Sequence, residues 1–193
     1  MNSFRRALNL KLNIMLVAKQ KRRENIIEYI LYMYQVEDLI RAFNLDMTLI
    51  EDRLVTNYKT DEKTSIEITD WYQNLVSMME KERIQEKGHL QFLTNLTADV
   101  NEFHLKLIET RKDAVYVQNF QSISGLVTEL KAKNTSAKND IDLGIAAIYG
   151  FLLLKMQKKS ISDETTNAIK MISQWFSGLA KLYKEFEEGK FEI

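Results

Sequence analysis

The residues best suited to chemistry in this sequence are two histidines, His89 and His104, and a polar cluster formed by Glu37, Asp38 and Arg41. Histidine titrates near neutral pH, so it is the side chain most often used for acid–base chemistry or metal binding. Carboxylates beside a guanidinium can form either a polar binding pocket or an ion-pair cluster that fixes helix packing. These five residues are therefore the first candidates for a functional site.

Helical spacing places Glu37 on the apolar side of its segment. Glu37 follows Met33 by four positions and precedes Ile40 by three. Arg41 follows Glu37 by four positions, which is the spacing of ion pairs on one helix face. Acids buried in helical bundles are commonly paired, so we favour a structural cluster. The alternative is a small-ligand site that uses Glu37, Asp38 and Arg41.

The histidines do not complete a metal site. A di-iron carboxylate bundle needs two Glu-x-x-His pairs and two further glutamates. Glu86 and His89 form one such pair, but Asn101 stands three positions before His104. The sequence therefore predicts no metal and no cofactor. We expect His104, on an apolar face, to be a hydrogen-bonded core residue, and His89, after a charged run, to be exposed.

Arg83 and His89 resemble the motif of the helical prokaryotic nucleotide-binding ribonucleases, the HEPN superfamily, in which a histidine follows an arginine after about four to six residues. The resemblance implies a small all-α bundle that acts on RNA as a dimer, with Arg83 and His89 as catalytic residues. Ile84 departs from the motif, because a polar residue usually follows the arginine. On a continuous helix the two side chains would stand about 120° apart.

Other catalytic classes lack their residues. Without cysteine the chain has no thiol nucleophile, disulfide framework or zinc finger. Its six glycines are scattered and form neither a phosphate-binding loop nor a G-x-S-x-G elbow. The sequence thus contains no assembled catalytic set, and we favour a protein that is not an enzyme.

The elements that position these residues are predicted to be helices. The chain has 193 residues, 45% of them hydrophobic, and no proline. No segment alternates apolar and polar residues long enough to require a strand. We predict an all-α, single-domain bundle of about six or seven helices without a sheet, covering residues 15–193. Its clearest connections are residues 44–46 and 131–139.

Two predicted helices should be central. Residues 24–43 are apolar on more than one face, and residues 140–157 carry Gly144 and Gly150, which would let a neighbouring helix approach closely. Three helix starts are also readable. Asp46 and Ser162 are predicted N-caps, and Thr64 with Glu67 has the spacing of a capping box.

The overall charge is balanced, with 27 basic and 27 acidic residues, but the first 23 residues hold seven basic side chains and no acid. Such an arm could contact nucleic acid or an anionic membrane; we favour the solvated start of a helix. The most apolar run, residues 143–154, is too short to cross a bilayer. We therefore expect a cytoplasmic protein with no membrane span and no nucleic-acid partner.

One segment resembles a known family. The run from Met15 to Ala42 reads MLVAKQKRRENIIEYILYMYQVEDLIRA, and residues 86–91 read EKGHLQ. Both are similar to an uncharacterised bacterial family, the domain of unknown function numbered 4924. The resemblance implies an all-helical cytoplasmic bacterial protein and supplies no activity or site residue. Members start near the position of Met15, so we expect residues 1–14 to be an extension outside the fold.

The leading interpretation is a non-catalytic helical interaction module that self-associates as a homodimer. Its support is complete amphipathic patterning without an assembled catalytic set. The alternative is an RNA-acting enzyme of the HEPN type that uses Arg83 and His89, or a helical bundle that binds a small ligand through Glu37, Asp38 and Arg41.

Overall fold

The computed structural model describes residues 14–193, which form eight α-helices and no strand. In chain order the helices are α1 (Ile14–Glu24), α2 (Ile26–Ala42), α3 (Met47–Ile50), α4 (Glu62–Lys81), α5 (Gln91–Thr110), α6 (Ala114–Lys133), α7 (Asp140–Met156) and α8 (Asp163–Glu187). A π-helical turn, Glu51–Val55, and a 3₁₀ turn, Thr56–Tyr58, follow α3. The all-α prediction is confirmed for the described residues.

The eight described helices exceed the predicted six or seven, because α1 ends at Glu24 and is separate from α2. The predicted short helix through Val55 is also shorter, since α-helical geometry ends at Ile50 and gives way to the π-helical turn. The extension predicted at residues 1–14 and the first three basic side chains lie outside the described residues, apart from the backbone of Ile14.

Two predicted helix caps are confirmed. The Asp46 carboxylate accepts hydrogen bonds from the backbone N–H groups of Thr48 and Leu49, so it satisfies the free donors at the start of α3. The Ser162 hydroxyl oxygen accepts the backbone N–H of Thr165 at the start of α8. Both caps follow from side-chain chemistry that acts within four residues.

The predicted capping box at Thr64 and Glu67 is wrong. Helix α4 begins earlier, at Glu62, and its N-cap is Asp61. The Asp61 carboxylate accepts both the backbone N–H and the hydroxyl of Thr64, at 3.0 and 2.7 Å. These contacts hold the pKa of Asp61 below its usual value. A charged carboxylate therefore caps the helix, and Thr64 serves as its donor.

Internal contacts divide the described chain into two compact units. The first contains residues 14–24 and 28–94, and the second contains residues 25–27 and 95–193. In the first unit α4 packs against α1 and α3. In the second unit α6, α7 and α8 pack against one another.

The core of the first unit contains side chains mainly from α2 and α4, with others from α3 and from the start of α5. Its fully buried members are Ile30, Met33, Glu37, Ile40, Ile50, Ile68, Tyr72, Met79, Leu90 and Leu93. The prediction that α2 is a buried helix is confirmed. The same helix carries the polar cluster, so its charged groups must find partners in a low-dielectric environment.

The second unit confirms one predicted close approach and contradicts another. A β-carbon at Gly144 would overlap the ring of Phe176, so α8 packs directly on the backbone of α7 there. Gly150 has no such neighbour within 4 Å. The prediction that α7 is buried is therefore only partly correct, because one of its faces is exposed.

Candidate functional site

Arg83 and His89 do not share a helix. Residues 82–90, which join α4 to α5, are not helical, and the predicted separation of about 120° therefore does not apply. Arg83 and Gly88 have φ angles of 58° and 96°, which break the helical path. The Arg83 side chain is exposed and forms no hydrogen bond or ion pair with any described residue.

Glu37 links α2 to residues 82–90. Its side chain is fully buried, with 0% exposure. Its Oε2 lies 2.6 Å from Nδ1 of His89, and its Oε1 accepts the backbone N–H of Leu90 at 2.8 Å. Each carboxylate oxygen thus has a partner, and the contacts fix the path of the chain as it leads into α5.

His89 is held on two sides. Its ring stacks on Tyr34, with 3.4 Å between the ring centroids and 9° between the planes. Its Nδ1 faces Glu37, while its Nε2 has no hydrogen-bond partner among the described residues. The side chain is 36% exposed. The expectation of an exposed histidine is therefore only partly correct, because one ring face and one nitrogen are engaged.

Arg41 makes a second link between α2 and the same segment. Its guanidinium donates to the Asp38 carboxylate at 2.8 Å, to the Ile84 carbonyl at 3.2 and 3.3 Å, and to the Gly88 carbonyl. The planar guanidinium presents five donors, so it can serve several acceptors at once. Together, Glu37 and Arg41 hold residues 82–90 against the last turns of α2.

The structure thus brings most of the predicted site residues together. Glu37 with His89 and Asp38 with Arg41 form two hydrogen-bonded pairs in the first unit, and Arg41 also contacts the Gly88 carbonyl next to His89, so the four residues make one polar cluster. Arg83 lies in the same segment, but no hydrogen bond or ion pair of the described structure joins it to His89. The sequence motif and the polar cluster, which were considered separately, are therefore partly the same site.

Family membership follows from a match over most of the sequence. The family model described as Domain of unknown function (DUF4924) matches residues 15–190. The chain belongs to the DUF4924 family. This confirms the family resemblance of residues 15–42 and 86–91. The chain matches no curated protein and no solved structure. The cluster of this DUF4924 chain must therefore be interpreted from its own geometry.

His104 of the DUF4924 chain lies in the second unit, where it is buried with 1% exposure. Trp175 Nε1 donates to the Tyr116 hydroxyl oxygen at 2.9 Å, and that hydroxyl lies 2.6 Å from His104 Nδ1. Because indole only donates, the Tyr116 hydroxyl is free to donate to an unprotonated Nδ1. Burial lowers the pKa of His104 to about 4. The predicted hydrogen-bonded core histidine is confirmed.

Sequence reasoning missed several residues that shape these sites in the DUF4924 chain. Tyr34 was assigned only to a core stripe, although its ring covers His89. Tyr116 and Trp175 lie far apart in sequence and meet only through α6 and α8 packing. Helical spacing on α2 indicates which side chains point inward, but it does not identify the residues that they contact elsewhere in the chain.

Two further properties concern only residues 14–193 of the DUF4924 chain. There, no three or more histidine, aspartate or glutamate side chains are grouped so that they could hold a metal ion. Over the same residues, no helix has both the length and the apolar character needed to traverse a bilayer.

Proposed function

We propose that the chain is a non-catalytic interaction module that forms a homodimer in the bacterial cytoplasm. The observation that carries this proposal is an exposed apolar face on α7. The polar cluster supports the non-catalytic part of the proposal, because the polar atoms of Glu37 and Arg41 are used in internal contacts with residues 82–90. The family resemblance supports the bacterial and cytoplasmic parts of the proposal.

The exposed surface of α7, called the α7 face here, consists of Ala146, Ala147, Gly150, Leu153 and Leu154. Helical spacing places these five residues on one side of the helix. All are exposed or half-buried, and Leu154 is 40% exposed. Gly150 lies near the middle of this face with no neighbour within 4 Å, so a helix from another molecule can approach its backbone.

The charges at the ends of α7 indicate a second copy of the chain as the occupant. Residues 143–154 carry no charge, whereas Asp142 precedes them and Lys155, Lys158 and Lys159 follow them. Asp142 and Lys158 each lie eight positions from Gly150. In an antiparallel pair that crosses at Gly150, the acidic start of α7 in each copy, with Asp142, lies towards the basic segment that follows α7 in the other, with Lys158. A twofold axis makes this contact self-complementary.

Sedimentation equilibrium tests the homodimer. We expect a particle of twice 22.7 kDa for the unaltered chain. Gly150→Glu places a charge in the middle of the α7 face and should convert the protein to monomer. Gly125→Glu is the matched control, because Gly125 is an exposed glycine within α6 that also has no neighbour within 4 Å. It should leave the dimer intact.

Lys158→Glu tests the antiparallel arrangement. It places like charges opposite each other at both ends of the pair. The variant dimer should therefore be weakest at low salt, where the repulsion is least screened, and it should dissociate at a higher protein concentration than the unaltered dimer. A chain that is monomeric at its highest soluble concentration would contradict the proposal. So would equal dissociation by Gly150→Glu and Gly125→Glu.

A second candidate function is RNA cleavage with His89 as a general base. The specific observation is that buried Glu37 engages Nδ1 of His89, because a carboxylate in that position orients the imidazole so that Nε2 can accept a proton. Comparing RNA cleavage by the unaltered chain and the Arg83→Ala, His89→Ala double variant tests this candidate. Equal cleavage by both proteins would eliminate it.

A further inference from the structure

A pocket of about 340 Å³ lies in the first unit beside α1. Its lining includes Met15, Lys19, Arg22, Arg23, Tyr29 and Trp71. We call it the α1 pocket. It is formed by α1, α2 and α4, and none of its residues belongs to the polar cluster around Glu37. Its volume lies in the range of small-molecule sites, roughly 300–1,000 Å³.

One side of the α1 pocket is basic. Lys19, Arg22 and Arg23 are spaced three and four positions apart, so they lie on one face of α1. Cations in the last turn of a helix are common, because they complement its dipole. Here, Lys21 is paired with Glu28 at 2.6 Å, whereas Lys19 and Arg23 form no ion pair with any described residue.

The other side of the α1 pocket is aromatic. Trp71 from α4 and Tyr29 from α2 are half-buried, and Met15 beside them is buried. Burial raises the pKa of Tyr29 further above the neutral range. Like any tyrosine hydroxyl at neutral pH, it can donate a hydrogen bond. The pocket therefore offers a planar apolar wall next to two cations that have no ion-pair partner within residues 14–193.

We infer that the α1 pocket binds a nucleoside monophosphate group, with the phosphate at Lys19 and Arg23 and the base against Trp71. A guanidinium matches phosphate geometry, and the faces of all bases stack on aromatic side chains. Two sources can supply this group, a free nucleotide or the 5′-phosphorylated end of a single-stranded nucleic acid. The inference does not depend on the proposed homodimer.

Tryptophan fluorescence gives a direct test, because the chain has only two tryptophans. Trp175 is buried in the second unit, and Trp71 lines the α1 pocket. Adenosine 5′-monophosphate is titrated into the full chain, and we expect a saturable change in emission that Trp71→Phe abolishes. Adenosine lacks the phosphate and should bind about tenfold more weakly, since a charge-assisted hydrogen bond contributes about 1.5 kcal/mol or more.

Matched variants test the basic side of the pocket. The Lys19→Gln, Arg23→Gln double variant should weaken binding about tenfold or more, measured by calorimetry. Arg53→Gln removes an exposed cation of the same unit outside the pocket and should leave binding unchanged. Oligoadenylates with a 5′-phosphate or a 5′-hydroxyl separate the two sources, since a nucleic-acid end predicts tighter binding of the phosphorylated oligomer than of the mononucleotide.

Three results would overturn the inference. The first is no saturable response to adenosine 5′-monophosphate. The second is equal affinity for adenosine and adenosine 5′-monophosphate, or equal weakening of binding by Arg53→Gln and by the Lys19→Gln, Arg23→Gln double variant. The third is binding to vesicles of anionic phospholipid that depends on Lys19 and Arg23 while the nucleotide does not bind, because the surface would then recognise a membrane. Sedimentation of the same samples reports the homodimer separately.

Discussion

Glu37 and His89 stand 52 positions apart in sequence and are joined by a contact of 2.6 Å between Oε2 and Nδ1. The same carboxylate accepts the backbone N–H of Leu90, so a single buried side chain determines how the chain leads into α5. This contact connects two groups of residues that sequence analysis treated as rival sites. It also makes the cluster a structural element whose loss is measurable as a loss of stability.

Replacing Glu37 by alanine should lower the free energy of unfolding by about 3 kcal/mol, because the buried N–H of Leu90 loses its acceptor and a cavity forms. Glu37→Gln keeps the shape and one acceptor, so it should cost about 1 kcal/mol. Urea denaturation measures both. Glu86→Ala, an exposed glutamate of the 82–90 segment, should change the value by less than about 0.5 kcal/mol. Equal stability of the Glu37→Ala variant and the unaltered chain would contradict this account.

Replacing Arg41 by lysine should loosen residues 82–90. Lysine has one compact ammonium group and cannot reproduce the fork that contacts Asp38, Ile84 and Gly88. We expect faster trypsin cleavage after Arg83 and Lys87 under native conditions. Arg53→Lys alters an exposed arginine of the same unit and should leave the cleavage rate unchanged. No difference between the two variants would show that the contacts of Arg41 do not restrain the segment.

Two helical glycines, Gly125 and Gly144, should respond differently to alanine. At Gly125 a β-carbon meets nothing within 4 Å, so alanine should stabilise the fold by about 1 kcal/mol through its higher helix propensity. At Gly144 it would overlap the Phe176 ring, so alanine should destabilise the fold by about 1–3 kcal/mol. Thermal unfolding of the two variants gives the sign of each effect. A stabilising Gly144→Ala would mean that α7 and α8 are not in close contact.

His104 should make stability depend on pH. Its pKa is lowered by burial from 6.5 to about 4, while the nearby Asp140 raises it and Lys131 lowers it. Between these pH values the unfolded chain binds a proton that the folded chain does not. The stability that the neutral His104 side chain contributes to the folded state is therefore complete above about pH 6.5 and is lost as the pH falls towards 4. The difference in pKa corresponds to a loss of about 3 kcal/mol.

Denaturation curves measured from pH 4 to 7.5 check this expectation. Many carboxylates also titrate at low pH, so the comparison is with His104→Gln, whose side chain can accept the Tyr116 hydroxyl but does not titrate. The stability difference between the two proteins should change across the window. Parallel curves, or a titration of the His104 ring protons near pH 6.5 in NMR spectra, would refute the assigned burial effect.

The correct and incorrect sequence predictions differ in the range of the interactions involved. The N-caps at Asp46 and Ser162 depend on groups within a few residues, and the structure confirms both. The capping box at Thr64 is wrong because Asp61, just upstream, accepts both the backbone N–H and the hydroxyl of Thr64, and the helix already begins at Glu62. Gly150 was given the same role as Gly144, because small size in a helix does not reveal whether a neighbouring helix is present.

The sequence by itself determined the all-α fold, the burial of α2 and the core position of His104. Apolar periodicity and the absence of helix-breaking proline can each be recognised within a single helix, without knowledge of its neighbours. The tertiary structure alone decided which groups meet across helices. Glu37 reaches His89, Phe176 packs on Gly144, and Trp71 lies beside the basic side of α1. The physical reason is that helical periodicity specifies which face of a helix is buried, whereas a hydrogen bond or a pocket also requires the position of the partner helix.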